Sequence, residues 1–354
     1  MLALTTLTTA LSLPWRTAIA PAPPLKAKIA LASALDRLDW PEEATPDLVL
    51  LSVPQEHSAD LNDLTAEAAK ELNAKFLIGV VGAGVIGAGK EMDQGNAGIS
   101  LLAGVFPEAT EVTPFVVGKE RMPNWSELCG TDDAPRPSFI LFADPFSPVT
   151  QATSIINSLA PSSCVAGGLT CPTSEMASSI SMSTSGGEAE TLPPGSCIGL
   201  SLRGPNFELH SLTAQGAAPV GPSWLVTAGG GEGSENLVME LDGQPALARL
   251  QELASEQDER VLRLLKSALL VGIEEGTSGI GAAAAAGGDD DGGSDGDGGF
   301  VNVEPDYLIR QVLGVSNQGG IYVGDRVEAG VSRLQFHVRD AKAAAEELSL
   351  RLGR

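Results

Sequence analysis

The residues best placed to do chemistry in this chain are glycines at the ends of apolar runs. From Phe76 the sequence reads Phe-Leu-Ile-Gly-Val-Val-Gly-Ala-Gly-Val-Ile-Gly-Ala-Gly-Lys-Glu to position 91, an apolar run to Val81 that breaks into glycines at 82, 84, 87 and 89. Glycine lets a backbone or a ligand approach closely, so Gly82, Gly84 and Gly87 are candidates for a small-ligand site at the end of a strand. Their spacing also matches a dinucleotide-binding turn. That chemistry needs a helix whose N-terminus receives the pyrophosphate. Here Ala88 to Gly98 holds three glycines, at 89, 95 and 98, and no 3.6-residue apolar period. No strand ending in a ribose-binding acid follows about 20 residues on. The expectation is a glycine loop lining a different pocket, or a tight turn, and no nicotinamide binding.

Three further groups could anchor a ligand. A second glycine pair, Gly167 and Gly168, ends the apolar run from Ser163, and Asp144 closes the run that starts at Pro137. Strand ends are where α/β sheets collect ligands. Near the C-terminus, Leu334, Phe336 and Val338 alternate with Gln335, His337 and Arg339, which places His337 and Arg339 on one strand face. Together with Arg310 they could hold a carboxylate, because an arginine fork binds one bidentately. A solvated outer face is the plainer account of the same residues. General acid–base catalysis needs a histidine or paired carboxylates in a cleft. The histidines are three, at 57, 210 and 337, with no Ser-His or Cys-His spacing, so a non-catalytic protein is expected and an enzyme of unrecognised class is an alternative. The aspartates at 289, 290, 291, 295 and 297 lack the glutamate that ends a calcium loop, the next being Glu304. No metal site is expected.

Composition limits the partners. With 22 Lys+Arg against 45 Asp+Glu, the 354-residue chain carries a formal net charge of −23 and repels nucleic acid and anionic lipid. No apolar run is long enough for a membrane span. The cysteines at 129, 164, 171 and 197 fit neither a disulfide framework nor a zinc ribbon and are expected as buried thiols.

The elements that would position these groups come in a repeated order. Pro46–Pro54 reads as a short buried strand, and Leu61, Leu64, Ala68 and Leu72 form a helical stripe. The strand from Phe76 follows with its glycine turn, and then a strand over 98–104. Pro137–Pro145, Thr150–Leu159, Ser163–Leu169 and 198–204 repeat that order, which predicts two related α/β units whose glycine turns face one cleft. Asn206–Leu212 alternates as a further strand. From about residue 223 strands are expected at 237–241, 307–313, 320–324 and 334–340, with helices at 245–253, 261–270 and 341–350, the last capped by Asp340. Gly279–Gly299 is almost all Gly, Ala and Asp and reads as a disordered insertion. The fold class is α/β: duplicated strand-helix-strand units with mixed sheets over 26–222, then an α+β domain over 223–350 packed on them. Residues 1–25 are hydroxyl-rich and acid-poor, as in a transit peptide, which points to a plastid, the cytoplasm being the alternative. A secretory signal cleaved after Ala18-Ile-Ala20 and a frayed terminus are the rival accounts.

Leu77-Ile-Gly-Val-Val-Gly-Ala-Gly-Val-Ile-Gly87 with Glu91 resembles the Ile-Gly-Cys-Ser-x-x-Gly turn of FIST N-terminal domains. Asn236–Leu247 is similar to the opening of the FIST C-terminal domain, and Asp306–Arg310, Val323–Arg326 and Val331–Asp340 to its end. The nearest likeness is to stand-alone members from cyanobacteria and photosynthetic eukaryotes. The resemblance implies a sensory or scaffold module that binds a small ligand, an amino acid or another anion, and signals through a partner protein. It implies no cofactor, with a haem-binding gas sensor as the alternative. Val80-Val81 replaces the family's Cys-Ser, so chemistry resting on those two residues is absent.

Overall fold

The computed structural model describes residues 15–23, 26–92, 97–130, 135–212, 215–231, 233–274 and 307–353. The insertion at 279–299 and the first fourteen residues of the expected targeting segment lie outside them. The chain divides into two compact units between Leu212 and Thr213. The boundary expected at 222/223 would cut through a strand.

The first unit is a duplication written in one element order. Strand β1 (Arg16–Pro21), helix α1 (Ala27–Leu38), β2 (Leu48–Pro54), α2 (Leu61–Leu72), β3 (Phe76–Gly82), hairpin β4 (Val85–Gly87) and β5 (Lys90–Met92), and β6 (Gly98–Gly104) make the first repeat. The second is β7 (Glu111–Val117), α3 (Trp125–Cys129), β8 (Ser138–Ala143), α4 (Val149–Leu159), β9 (Val165–Leu169), hairpin β10 (Ile180–Thr184) and β11 (Glu190–Thr191), and β12 (Cys197–Arg203). The sheets run β1-β6-β2-β3-β10-β11 and β7-β12-β8-β9. In each, one parallel pair (β2 with β3, β8 with β9) carries antiparallel neighbours, so both sheets are mixed. The repeats align residue by residue, Leu51 opposite Gly79 in one and Leu141 opposite Gly167 in the other.

The central strands read as unbroken apolar runs because both their faces are covered. On one face Leu31, Leu64 and Ala68 from α1 and α2 meet Val49, Leu51 and Leu77. On the other, Leu48, Ile78 and Val80 meet Ile140, Ile198 and Leu200 of the second sheet. The second sheet's outer face packs Phe139 and Leu141 against Ala152 and Ile156 of α4. The layers are helix, sheet, sheet, helix. Strand β1 belongs to this core: it pairs with β6, and Ala18, Ile19 and Ala20 are buried. Residues 16–21 are therefore part of the fold, which corrects the targeting segment drawn to residue 25. Asn206–Leu212 forms no ladder. Its alternation reflects Phe207 and Leu209 packing on the inter-sheet core without a strand partner.

The second unit is an antiparallel sheet, β13 (Ala217–Gly229), β19 (Arg333–Arg339), β16 (Leu269–Glu274), β17 (Tyr307–Val315), β18 (Ile321–Val323), β14 (Leu237–Leu241) and β15 (Gln244–Pro245), in that order. Strand β13 also pairs with β14, which closes the sheet into a barrel. Helices α5 (Ala246–Ser255) and α6 (Glu259–Ala268) add Leu253 and Leu265 to the barrel's core with Val271, Leu334 and Phe336. The helix expected over 261–270 ends at Ala268, because Leu269 turns extended to pair with Val338. Helix α7 (Ala341–Leu352) is capped by the Asp340 carboxylate on the Lys342 N–H. That carboxylate also takes two hydrogen bonds from Arg260, which hold its pKa down.

Helix α2 lies so close to β3 that a Cβ on Gly79 would collide with Oγ1 of Thr65, a buried hydroxyl bonded to the Leu61 carbonyl at 2.7 Å. Gly79→Ala should destabilise the first unit by about 1–3 kcal/mol, the usual cost of overpacking. Denaturant unfolding of the double mutant with Thr65→Ala should show a loss smaller than the sum of the single losses. Additivity within about 0.5 kcal/mol would show that the two positions do not touch.

Candidate functional site

The C-terminal ends of the two parallel pairs are stitched together. Val81, near the end of β3, donates its N–H to Ser179 at 2.9 Å and accepts from Cys171 N–H at 2.8 Å. Gln55, just after β2, reaches the carbonyls of Cys171 and Pro172 at 3.2 and 3.3 Å. Asp144, at the end of β8, is 1 % exposed. One carboxylate oxygen accepts from Phe146 N–H at 2.9 Å and the other from Ser179 Oγ at 3.2 Å, and Thr170 Oγ1 stands 2.6 Å from the same Ser179 hydroxyl. Asp144 thus ties three chain segments together from inside. Both of its oxygens are taken up by partners within the protein.

The two glycine clusters do different things, one turning a hairpin and the other lying inside a strand. After β3 the chain turns at Gly82, where a Cβ would stand 2.8 Å from the Gly84 carbonyl, and enters hairpin β4–β5. The hairpin reverses at Ala88 and Gly89, both at positive φ, and lies on β1, β2 and β6. Among the described residues, strand β5 and not a helix follows the glycines. Gly84 is exposed, and Gly87 backs onto Ala18 and Thr17 of β1. Gly82 and Gly87 are explained by the close turns of this hairpin.

Gly167 and Gly168 sit inside β9, at the edge of the second sheet. Gly167 has φ +150°, and a Cβ there would run into the carbonyl oxygen of Leu141. Beside them, β9 and α4 border an open pocket of about 190 Å³, lined by Leu141 and Ala143 of β8, Val149 and Thr153 of α4, and β9 itself. Thr153 turns its hydroxyl to the carbonyls of Val149 and Thr150 at 3.1 and 3.0 Å, so the wall is apolar. Of the sequence candidates, Gly167 and Gly168 line this cavity. Leu141, Val149 and Thr153 were not singled out. Their only signal was a glycine pair in a strand next to a helix with small N-terminal residues.

Arg310, His337 and Arg339 belong to the second unit, and the register separates them. Arg310 lies opposite Val271, which lies opposite Phe336, so Arg310 shares their barrel face and His337 and Arg339 take the other. Arg310 is paired with Asp325 at 2.8 Å. Arg339 is exposed. His337 is 4 % exposed, against the expectation of a solvated face. It packs its ring edge on Tyr307 at 5.4 Å, over the gap left by Gly272, and sets Nδ1 3.0 Å from the Gln335 carbonyl. Three residues expected to clasp one anion do not converge. Cys129 and Cys197 are buried and Cys164 and Cys171 half-buried, all free. Burial pushes the Cys197 thiol up to about 12.

Burial holds the His337 pKa below its ordinary 6.5. Above that pH the imidazole is neutral in both folded and unfolded chains. Below it the unfolded chain takes up a proton that the folded unit resists, so stability falls as pH drops. Denaturation between pH 7.5 and 5.5 should show this loss, with a slope of at most about 1.4 kcal/mol per pH unit. His337→Phe should remove that part of the slope. An unchanged slope would mean that His337 titrates freely.

The FIST N domain family model matches residues 47–244, more than half of the chain. The match covers the paired sheets from Asp47 and runs on through β13 and β14. The uncharacterized protein Rv0628c of Mycobacterium tuberculosis (strain ATCC 25618 / H37Rv) is 27% identical over 328 residues, covering 88% of this chain and 73% of the relative. The uncharacterized protein Mb0898c of Mycobacterium bovis is 25% identical over 325 residues, covering 87% and 72%. With its doubled sheets and glycine-broken β3 inside the matched region, the chain belongs to the FIST N domain family.

Proposed function

We propose that this chain is a non-catalytic sensory module that binds a small apolar ligand between β9 and α4 and acts through a partner protein. The observation that carries the reading is the pocket of about 190 Å³, lined by Gly167 and Gly168 and by aliphatic groups. The pocket is open to solvent, and its volume leaves room for a group the size of a small ring. The amino acid or anion expected from the sequence has no charged partner at this cavity, and we read the ligand as apolar instead. Membership of a sensory-type family supports the role. We further read the second unit as FIST C-like, on the likeness of Asn236–Leu247 and of the strands around Arg310, Asp325 and His337. The plastid destination remains a proposal resting on the composition of the N-terminal residues.

The test is methyl NMR with indole as the probe. Saturable shifts at Leu141, Val149 and Leu169 are expected, with a dissociation constant of about a millimolar or below. Thr153→Phe, which fills the cavity, should weaken binding about tenfold or more. Absence of saturable shifts at these methyls, or an unaltered affinity in Thr153→Phe, would refute the site. An absorption spectrum with a haem band in the purified protein would favour the gas-sensor reading instead.

A further inference from the structure

The two sheets of the first unit are built alike but finished differently. In the first, the outer edge of β3 is covered by β10, antiparallel, with Ile180 opposite Val80, Ser181 opposite Gly79 and Met182 opposite Ile78. In the second, β9 is the counterpart of β3, and among the described residues no strand pairs with its outer edge. Phe139 N–H bonds to the Cys164 carbonyl and Thr170 N–H to the Ala143 carbonyl. The alternation of a parallel ladder then turns the main-chain groups of Val165, Gly167 and Leu169 away from β8. Their counterparts on β3 include Val81, whose N–H bonds to Ser179 beside β10.

Exposed edges are normally guarded by charge, proline or a bulge. The run Val-Ala-Gly-Gly-Leu contains neither a charged residue nor proline, and Leu169 is 66 % exposed. We propose that β9 is a docking edge for an extended segment of a partner protein, which adds to the sheet as an antiparallel strand. The pairing on β3 specifies its side chains. Ser181, opposite Gly79, turns toward α2 and bonds to Asn62 at 3.0 Å, while Ile180 and Met182 face the inter-sheet core. A strand on β9 would therefore carry a small residue opposite Gly167 and apolar residues on either side of it. Gly168 leaves room for one of them, since a Cβ there would meet nothing within 4 Å.

Charge selects the occupant. A second copy would bring another −23 to a five-residue edge, too short a contact to offset repulsion between like-charged proteins. Basic residues flanking the apolar core of the segment are attracted instead. The proposal rests on the reading that this module acts through a partner, but it uses the edge of β9 and not the cavity.

The probe is a synthetic peptide with Ile-Ser-Met-Ser-Thr between pairs of lysines, followed by fluorescence anisotropy. Saturable binding on the order of 10⁻⁵ M is expected, in the range of weak transient interfaces. Leu169→Pro removes an outward N–H without touching the ladder to β8, and should weaken binding about tenfold or more with circular dichroism unchanged. In the wild-type protein, peptide should slow amide exchange at Val165, Gly167 and Leu169, a readout independent of how the variant folds. Thr153→Phe should bind the peptide normally while losing indole, so the two readings can fail separately. Absent peptide binding, unaltered exchange at those amides, or unchanged affinity in a folded Leu169→Pro protein would overturn the docking edge. So would sedimentation showing a dimer that Leu169→Pro dissociates, since a second copy would then hold the edge.

Discussion

Each β-α-β repeat of the first unit produces a sheet that is apolar on two faces, one covered by its own helices and the other by nothing the repeat can supply. The inner faces carry Leu48, Ile78 and Val80 in one repeat and Ile140, Ile198 and Leu200 in the other. Apart, they would leave large aliphatic areas in water, at roughly 25 cal/mol per Å². Everything else in the unit depends on that inter-sheet contact. It fixes which strand faces are inward, and it brings the parallel strand ends close enough to be joined by Val81, Thr170, Ser179 and Asp144. Polar groups buried at such a seam must be satisfied, and the Asp144 carboxylate is, on both oxygens.

The glycines have two uses. Those at 82 and 87 let the chain fold back tightly on itself, and the structure spends them on a hairpin. Gly167 and Gly168 lie in a strand next to a helix and line the pocket that a ligand could occupy. The same residue type, read from sequence as one kind of turn, thus turns the chain in one place and lines a pocket in another.

Much of the fold was legible because burial on both faces writes itself as proline-bounded apolar runs. Pro46–Pro54 and Pro137–Pro145 announced β2 and β8, and the stripe Leu61, Leu64, Ala68, Leu72 announced α2. The duplication was visible in their order. Strand β1 was missed because Ala18-Ile-Ala20 is a short apolar run in an acid-poor stretch whose composition points elsewhere. The site was less legible. Sequence alternation put His337 and Arg339 on one face correctly, but it said nothing about Tyr307 and Gly272 shutting His337 from water. Arg310 was grouped with them although cross-strand register, which no local pattern encodes, sends it to the other face. The cavity depends on what is absent between β9 and α4, and absence between two distant segments leaves no local trace.

Strand β10 has a consequence for how the molecule is made. The first sheet borrows it from the second repeat, with Ile180 laid beside Val80, so the N-terminal repeat emerging from a ribosome holds an unfinished edge while its partner sheet is still being synthesised. Pairings between such distant positions form late, because the closure entropy comes before the contact energy. In that interval β3, with its apolar Ile78 and Val80, is the kind of open edge on which nascent chains mis-pair. The repeats, alike as they look, are thus not two independently folding modules: the first is finished only once the second has been made.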